Sequence, residues 1–279
     1  DQVNNIVFHE VRVADYPLFE YPPYELSLAC KLFDVVKYEK LDLLHVHYAI
    51  PHAYVAYLTK QMLAEEGINI PVVTTLHGTD ITLVGKSPTL TPAVNFSINH
   101  SNVVTAVSQD LKEETLNYFS IRKEIKVIPN FIDFDLHNYT FDKDLHMHYA
   151  PSREKIMIHI SNFRPVKRVV DVISVCVNVR EKLSVKLLMV GDGPQRELAE
   201  YLCRDLGCSD DVKFLGKTQD GARLLALSDL FVLPSEKESF GLVALEAMAA
   251  GIPVVSSNTG GLAHVNINGV TGYTSAVGD

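Results

Sequence analysis

Short apolar runs along the chain alternate with longer stretches in which apolar residues recur every three or four positions. Runs at 41–46, 71–76, 103–107 and 126–128, each closed by polar residues or proline, read as buried strands, and 6–13 alternates as a further one. Between them, 26–40, 51–66 and 109–119 carry helical periodicity, with Pro51 near a first turn and Ser108 in a cap position. The second half repeats the pattern, with strands at 155–160, 185–190, 212–215, 230–233 and 253–256 and helices at 169–182, 195–206, 222–227 and 243–250. A polar and aromatic segment at 133–153 has no such period and reads as a linker. The order predicts an α/β chain of two doubly wound parallel-sheet domains, 1–150 including the linker and 151–279, facing each other across a cleft.

In such sheets ligands gather at the carboxyl ends of the strands. In the first half those ends carry His47, Tyr48, His77, Thr79, Asp80 and Asn130. The proline-rich loop 15–25 is stiff, and serves either as a hydrophobic plug or as a cleft wall. In the second half the strand ends carry a basic turn with Arg164 and Lys167, a glycine turn at Gly191-Asp192-Gly193-Pro194, and Glu238-Ser239-Phe240-Gly241-Leu242. The last stretch leads into a helix expected to start near Ser239 or Phe240. Its free N–H groups at Phe240, Gly241 and Leu242, with the helix dipole, suit an anion such as a diphosphate, and Gly241 allows a close approach. Glu238 and Glu246 flank that anion site. Carboxylates repel phosphate, so they suit hydroxyl donors on an attached sugar or ribose. Taken singly, the basic turn reads as solvated surface and the glycine turn is weak evidence. Together the loops describe a pocket for a nucleotide diphosphate joined to a sugar.

Composition narrows the classes. The 279 residues are 47% hydrophobic and 21% charged, with a formal net charge of −9, which argues against a nucleic-acid partner. No apolar stretch is long enough to span a membrane, and none reads as a signal peptide. Cys30, Cys176, Cys203 and Cys208 show no zinc-type or redox-type spacing and read as reduced thiols in a cytoplasmic chain. The pairs His45-x-His47 and His146-x-His148 lack a second ligand pair, so no metal is expected. The sequence gives no view of oligomeric state, and a homo-oligomer is compatible with it. Both ends read as cut, at Asp1 ahead of a strand-like run and at Asp279 soon after a turn.

Glu238-x7-Glu246, Gly191-Asp192-Gly193-Pro194, Pro129-Asn130-Phe131-Ile132-Asp133 and Gly260-Gly261 resemble the retaining GT-B glycosyltransferases of family 4 over essentially the whole chain. A narrower similarity lies in Phe19-Glu20-Tyr21-Pro22-Pro23-Tyr24-Glu25-Leu26, in His45-Val46-His47-Tyr48-Ala49-Ile50-Pro51-His52-Ala53 and in Thr74-Thr75-Leu76-His77-Gly78-Thr79-Asp80-Ile81-Thr82. Together with Ser161-Asn162-Phe163-Arg164-Pro165-Val166-Lys167-Arg168, these resemble the enzymes that glycosylate L-malate in bacillithiol biosynthesis. The resemblance implies two Rossmann-like domains and transfer of N-acetylglucosamine from UDP-GlcNAc to the hydroxyl of L-malate, with retention and without a metal. It implies that Glu246 holds the ribose and Glu238 the donor sugar. The Ser239–Leu242 amides, Arg164 and Lys167 then stabilise the leaving diphosphate, and Asn130 and Gly191 complete the donor site. His77 lines the reacting centre, and Tyr48 and Thr79 place malate.

Three departures stand against the family pattern. Asn162 holds a place where Arg is common, five residues before the lysine, and Arg164 takes part of that role. Ala263-His264 stands where the family continues to Pro-Glu. The family's first strand and glycine-rich loop are absent before Asp1, as are its closing helices after Asp279. Competing readings are a family 4 enzyme with another acceptor, a nucleotide-sugar epimerase, and a nucleotide-sugar binding module.

Overall fold

The computed structural model describes residues 5–13, 21–82, 85–137 and 139–279. The chain divides into two compact units, Asp1–Pro129 and Asn130–Asp279. The first runs α1 (Tyr24–Glu39), β1 (Leu44–His47), a wound turn at Ala49–Ala53, α2 (Tyr54–Glu65), β2 (Val72–Leu76), α3 (Thr79–Thr82), α4 (Thr91–His100), β3 (Val103–Ala106), α5 (Gln109–Tyr118) and β4 (Ile125–Val127). Its four strands lie in the order β1-β2-β3-β4, all parallel, with Leu44 opposite Val72 and Val73 opposite Val103. Val36, Leu44, Ala56, Leu63, Ile70 and Val72 close one part of its core. Ser108 caps α5 by accepting the Leu111 N–H at 3.1 Å, as the sequence predicts.

The second unit runs α6 (Lys143–Tyr149), β5 (Lys155–Ser161), α7 (Val169–Arg180), β6 (Val185–Gly191), α8 (Arg196–Asp205), β7 (Val212–Gly216), α9 (Gly221–Ala226), β8 (Leu230–Leu233), α10 (Leu242–Ala249), β9 (Val254–Ser257), α11 (Leu262–Val265) and β10 (Gly272–Ser275). Six parallel strands lie in the order β10-β9-β8-β5-β6-β7. Side chains alternate across this sheet. Ile156, Ile158, Leu188 and Phe231 join Ala244 and Ala247 of α10, while Met157, Leu187, Met189 and Val232 join Val169, Val172 and Ile173 of α7. The chain runs from β5 outward to β6 and β7, then returns to β8 on the other side. The strand order therefore reverses between β5 and β8, which opens a crevice beyond their carboxyl ends.

Several expectations change. Residues 6–13 form no strand; Ile6, Val7 and Phe8 are exposed, and no neighbouring strand takes up their backbone groups among the described residues. Positions 15–20 of the proline-rich loop lie outside the described residues. The helix expected over 51–66 becomes regular only at Tyr54, after the wound turn at Ala49–Ala53, inside which Ile50 is extended. The segment read as a linker contains α6, capped by Asp142 and seated through Leu145 and Tyr149 on the core of the second unit. Helices α3, α4 and α11 and strand β10 add to the elements that the sequence predicts. Among the described residues no helix is long and apolar enough to cross a membrane.

Candidate functional site

The loops at the reversal point build a cavity of about 480 Å³ lined by Ser161, Asn162, Lys167, Gly191, Asp192, Lys217, Glu238, Gly241, Leu242 and Val243, with Ile160 and Leu233 beneath. Helix α10 begins at Leu242, later than expected, because Gly241 takes a left-handed φ of 90° and forms the cap. The first intrahelical bond is from the Ala244 N–H to the Gly241 carbonyl, at 3.0 Å. The N–H groups of Leu242 and Val243 precede it at the positive end of the helix dipole, and both residues line the cavity. A side chain at Gly241 meets Leu262 Cδ1 at 2.5 Å, so packing as well as φ demands the glycine. The glycine turn answers to packing too, since a Cβ at Gly191 lands 1.8 Å from the Ser161 carbonyl and one at Gly193 lands 2.1 Å from the Asn162 carbonyl.

Lys167 Nζ donates to Glu238 Oε1, and Ser235 Oγ donates to the same oxygen at 3.0 Å. The pair is half-buried within the cavity wall. His159, fully buried in β5, fixes the turn that carries Lys167. Its Nδ1–H donates to the Val232 carbonyl at 2.8 Å, which leaves Nε2 to accept from Ser161 Oγ at 2.8 Å; Ser161 Oγ in turn accepts the Phe163 N–H at 3.2 Å. Burial pushes His159 down to about 4, with nearby Lys167 adding to the fall.

Of the residues assigned to the donor from the sequence, Lys167, Gly191, Glu238, Gly241 and Leu242 meet in this cavity. Arg164 is exposed and does not line it; its carbonyl accepts the Lys167 N–H at 2.8 Å. Ser239 and Phe240 turn their backbone toward Gly261, whose added Cβ meets the Ser239 carbonyl at 2.1 Å. Asn130 opens the second unit away from the cavity lining. Glu246 sits half-buried in α10, its carboxyl held above the ordinary range by burial and lowered in part by His137. Lys217 lines the cavity but went unremarked in the sequence, because one lysine after a strand has no spacing to set it apart.

In the first unit, the ends of β1 and β2 form a histidine cluster. His47 Nδ1 and His77 Nε2 are 2.6 Å apart, and the His45 ring stacks on His47 at 4.8 Å. His45 Nε2 meets Thr75 Oγ1 at 2.8 Å, which meets Thr105 Oγ1 at 2.7 Å. Tyr48 follows His47 with a φ of 76°, unusual for a residue with a side chain, and its ring lies 5.1 Å from His77. Asp80, 3% exposed, accepts the Ala49 N–H at 2.7 Å and the Gly78 N–H at 3.1 Å, tying the two strand ends together. Burial raises its carboxyl, and these N–H groups work against the rise. Thr79 is exposed at the start of α3. Among the described residues no group of three or more His, Cys, Asp or Glu is arranged to hold a metal. Cys203 and Cys208 come within 3.1 Å at the buried end of α8 as free thiols.

The model of glycosyltransferase family 4 matches residues 1–136, and that of glycosyl transferases group 1 matches residues 141–279. The chain is 50% identical over 276 residues to an N-acetyl-alpha-D-glucosaminyl L-malate synthase of Bacillus anthracis, covering 99% of this chain and 72% of that protein. It is 29% identical over 291 residues to an uncharacterized glycosyltransferase of Methanocaldococcus jannaschii, covering 98% and 73%. HepE of Anabaena, crystallised with UDP-glucose, superposes with a TM-score of 0.77 at 26% identity, over 95% of this chain and 71% of that one. A sucrose-phosphate synthase of Thermosynechococcus elongatus shares the fold at a TM-score of 0.77 and 20% identity, over 98% and 72%. The two parallel-sheet units are thus of the GT-B class expected from the sequence, and the chain belongs to the group 1, family 4 glycosyltransferases.

Proposed function

We propose that the chain transfers N-acetylglucosamine from UDP-GlcNAc to the hydroxyl of L-malate, with retention at the anomeric carbon. The observation that carries this reading is the 50% identity to an N-acetyl-alpha-D-glucosaminyl L-malate synthase across 99% of the chain. The cavity of the second unit suits the donor. Its helix N–H groups at Leu242 and Val243, with Lys167, face the diphosphate, and Arg164, exposed on the same turn as Lys167, adds positive charge outside the lining. Glu238 accepts from the donor sugar hydroxyls while keeping Lys167 against the wall. Glu246 takes the ribose hydroxyls. Gly191 and the backbone of Gly241 complete the donor side, while Asn130, Ser239 and Phe240 stand outside the cavity lining. His77 touches the reacting groups, and Tyr48 and Thr79 seat malate. The acceptor hydroxyl attacks on the face from which the diphosphate departs, and a phosphate oxygen takes its proton, so neither a carboxylate nucleophile nor a metal is required.

A phosphorylated acceptor fits less well. The two lysines nearest in kind to what it needs are engaged: Lys86 pairs with Glu114 at 2.8 Å and lies 3.7 Å over the Tyr118 ring, and Lys60 donates to Asn102 at 3.0 Å. The test is mass spectrometry of the products formed from UDP-GlcNAc with and without L-malate. A product of the mass of N-acetylglucosaminyl-malate, formed only with malate, supports the reading. Turnover of the UDP-sugar without malate overturns it in favour of an epimerase or hydrolase.

A further inference from the structure

We propose that His47 is a positioning residue for His77, and that the two imidazoles share one proton which holds His77 in a single ring orientation and tautomer. The inference rests on the role given to His77 above. His47 lies on β1 and His77 just after β2, and their nitrogens meet at 2.6 Å with the rings tilted by 36°. One of the two nitrogens carries the hydrogen and the other receives it. His77 Nδ1 makes no hydrogen bond within the described residues, so the tautomer set at Nε2 decides whether Nδ1 offers a substrate a donor or an acceptor.

His47 is itself held. Its carbonyl accepts from His52 Nδ1 at 2.6 Å, which leaves His52 Nε2 facing the Tyr24 hydroxyl at 3.4 Å. The next residue, Tyr48, is fixed at positive φ with its N–H on the Thr75 carbonyl at 2.9 Å. A ring so clamped on its backbone and stacked on His45 is a rigid support for its neighbour.

The titratable groups facing the pair are His45 on β1, Tyr48 and His52 on the turn, Tyr24 on α1 and Asp80 on α3. Both imidazoles are depressed below the ordinary 6.5: His47 by burial, then by His45 and His52, and His77 by burial, then by His47 and His45. The pair therefore stays neutral at neutral pH. It charges only on acidification, and removal of His47 relieves part of the depression of His77 while burial and His45 remain.

The variants are His47→Phe, which keeps a ring but no nitrogen, and His47→Asn, which keeps a polar group near the place of Nδ1. In transfer assays His47→Phe is expected to lower kcat by about 10- to 100-fold, the scale of a misplaced reacting group. Its UDP dissociation constant stays within about twofold, the acid limb of its pH profile moves to higher pH, and His47→Asn restores much of the rate. In a His77→Ala background, His47→Phe should cost little more. An equal further loss there, or an unmoved acid limb, overturns the proposal. Nitrogen-15 spectra of the imidazoles give a readout independent of turnover: one His77 tautomer in the parent protein and a mixture in His47→Phe. A His77 spectrum unaltered by His47→Phe overturns the pairing. A parent protein that makes no glycosyl-malate while the spectra still respond overturns the malate reading and leaves the pair standing.

Discussion

The cavity of the second unit and the histidine cluster of the first stand at the same kind of place, the carboxyl ends of parallel strands, yet they handle charge in opposite ways. The cavity keeps its charges formal and paired: Lys167 against Glu238, with helix N–H groups beside them. The cluster sets each imidazole on a hydrogen-bond partner, with His47 and His77 depressed chiefly by burial, and places its one buried carboxylate under backbone N–H groups. An anionic leaving group needs preorganised positive charge near it. A hydroxyl needs direction more than field. The contrast suits a donor site in one unit and an acceptor site in the other.

The largest expected effect tests the charged side. On the proposed role of Glu238, Glu238→Ala removes a hydrogen-bond acceptor for the donor sugar and frees Lys167, so transfer should fall by roughly 100-fold or more, at about 1.5–3 kcal/mol for each hydrogen bond lost to a charged group. Because Lys167 then faces the diphosphate without a competing carboxylate, UDP affinity should hold or tighten. Steady-state kinetics with calorimetry of UDP binding separates the two. Near-normal transfer in a folded variant would remove Glu238 from the mechanism and blur the contrast between the two sites.

The two sites were unequally legible in the sequence. The residues that meet in the cavity come from segments whose chemistry shows locally, such as the basic turn, the glycine turn and Glu238 ahead of a helix. Even there the reason for a residue was partly hidden. Gly191 is needed because Ser161 lies against it, and Gly241 because of Leu262. Such close approaches are products of tertiary packing. The His47–His77 contact joins residues on neighbouring strands, and only strand register brings it about. Helix α4 was missed because Thr91-Pro92-Ala93-Val94-Asn95-Phe96-Ser97-Ile98-Asn99-His100 holds few good helix formers, although Pro92 in its first turn and the buried Val94, Ser97 and Ile98 mark one face. His159 looked like any polar residue in an apolar strand, and its place behind Ser161 follows from the sheet.

His159 supplies the next effect, on stability rather than rate. In the folded chain it lies at about 4, against an ordinary 6.5. A depressed imidazole is neutral in the fold, so its contribution is full above the unfolded value and is lost as pH falls from 6.5 toward 4. At 1.36 kcal/mol per unit this is about 3 kcal/mol at most. His159→Leu should be less stable than the parent at pH 7, for want of the bonds to Val232 and Ser161, yet lose less on acidification. Denaturant midpoints at pH 7 and pH 4.5 measure it. Equal acid sensitivity in the two proteins would mean that His159 is not the buried imidazole that charges.

The smallest expected effect is none, and it probes the contrast from the other side. If Lys167, Arg164 and the N–H groups of Leu242 and Val243 neutralise the departing diphosphate, a divalent cation adds nothing that the second unit lacks. The first unit offers no substitute, because the facing nitrogens of His47 and His77 are spent on each other at 2.6 Å, closer than two ligands of one ion at 2.0–2.1 Å each would ordinarily sit. Transfer measured in EDTA should match that in magnesium within about twofold. A loss in EDTA that magnesium restores would show that the cavity's own positive charge is insufficient. The pairing of Lys167 with Glu238 would then have to be read as a charge withheld from the donor and made good by the ion.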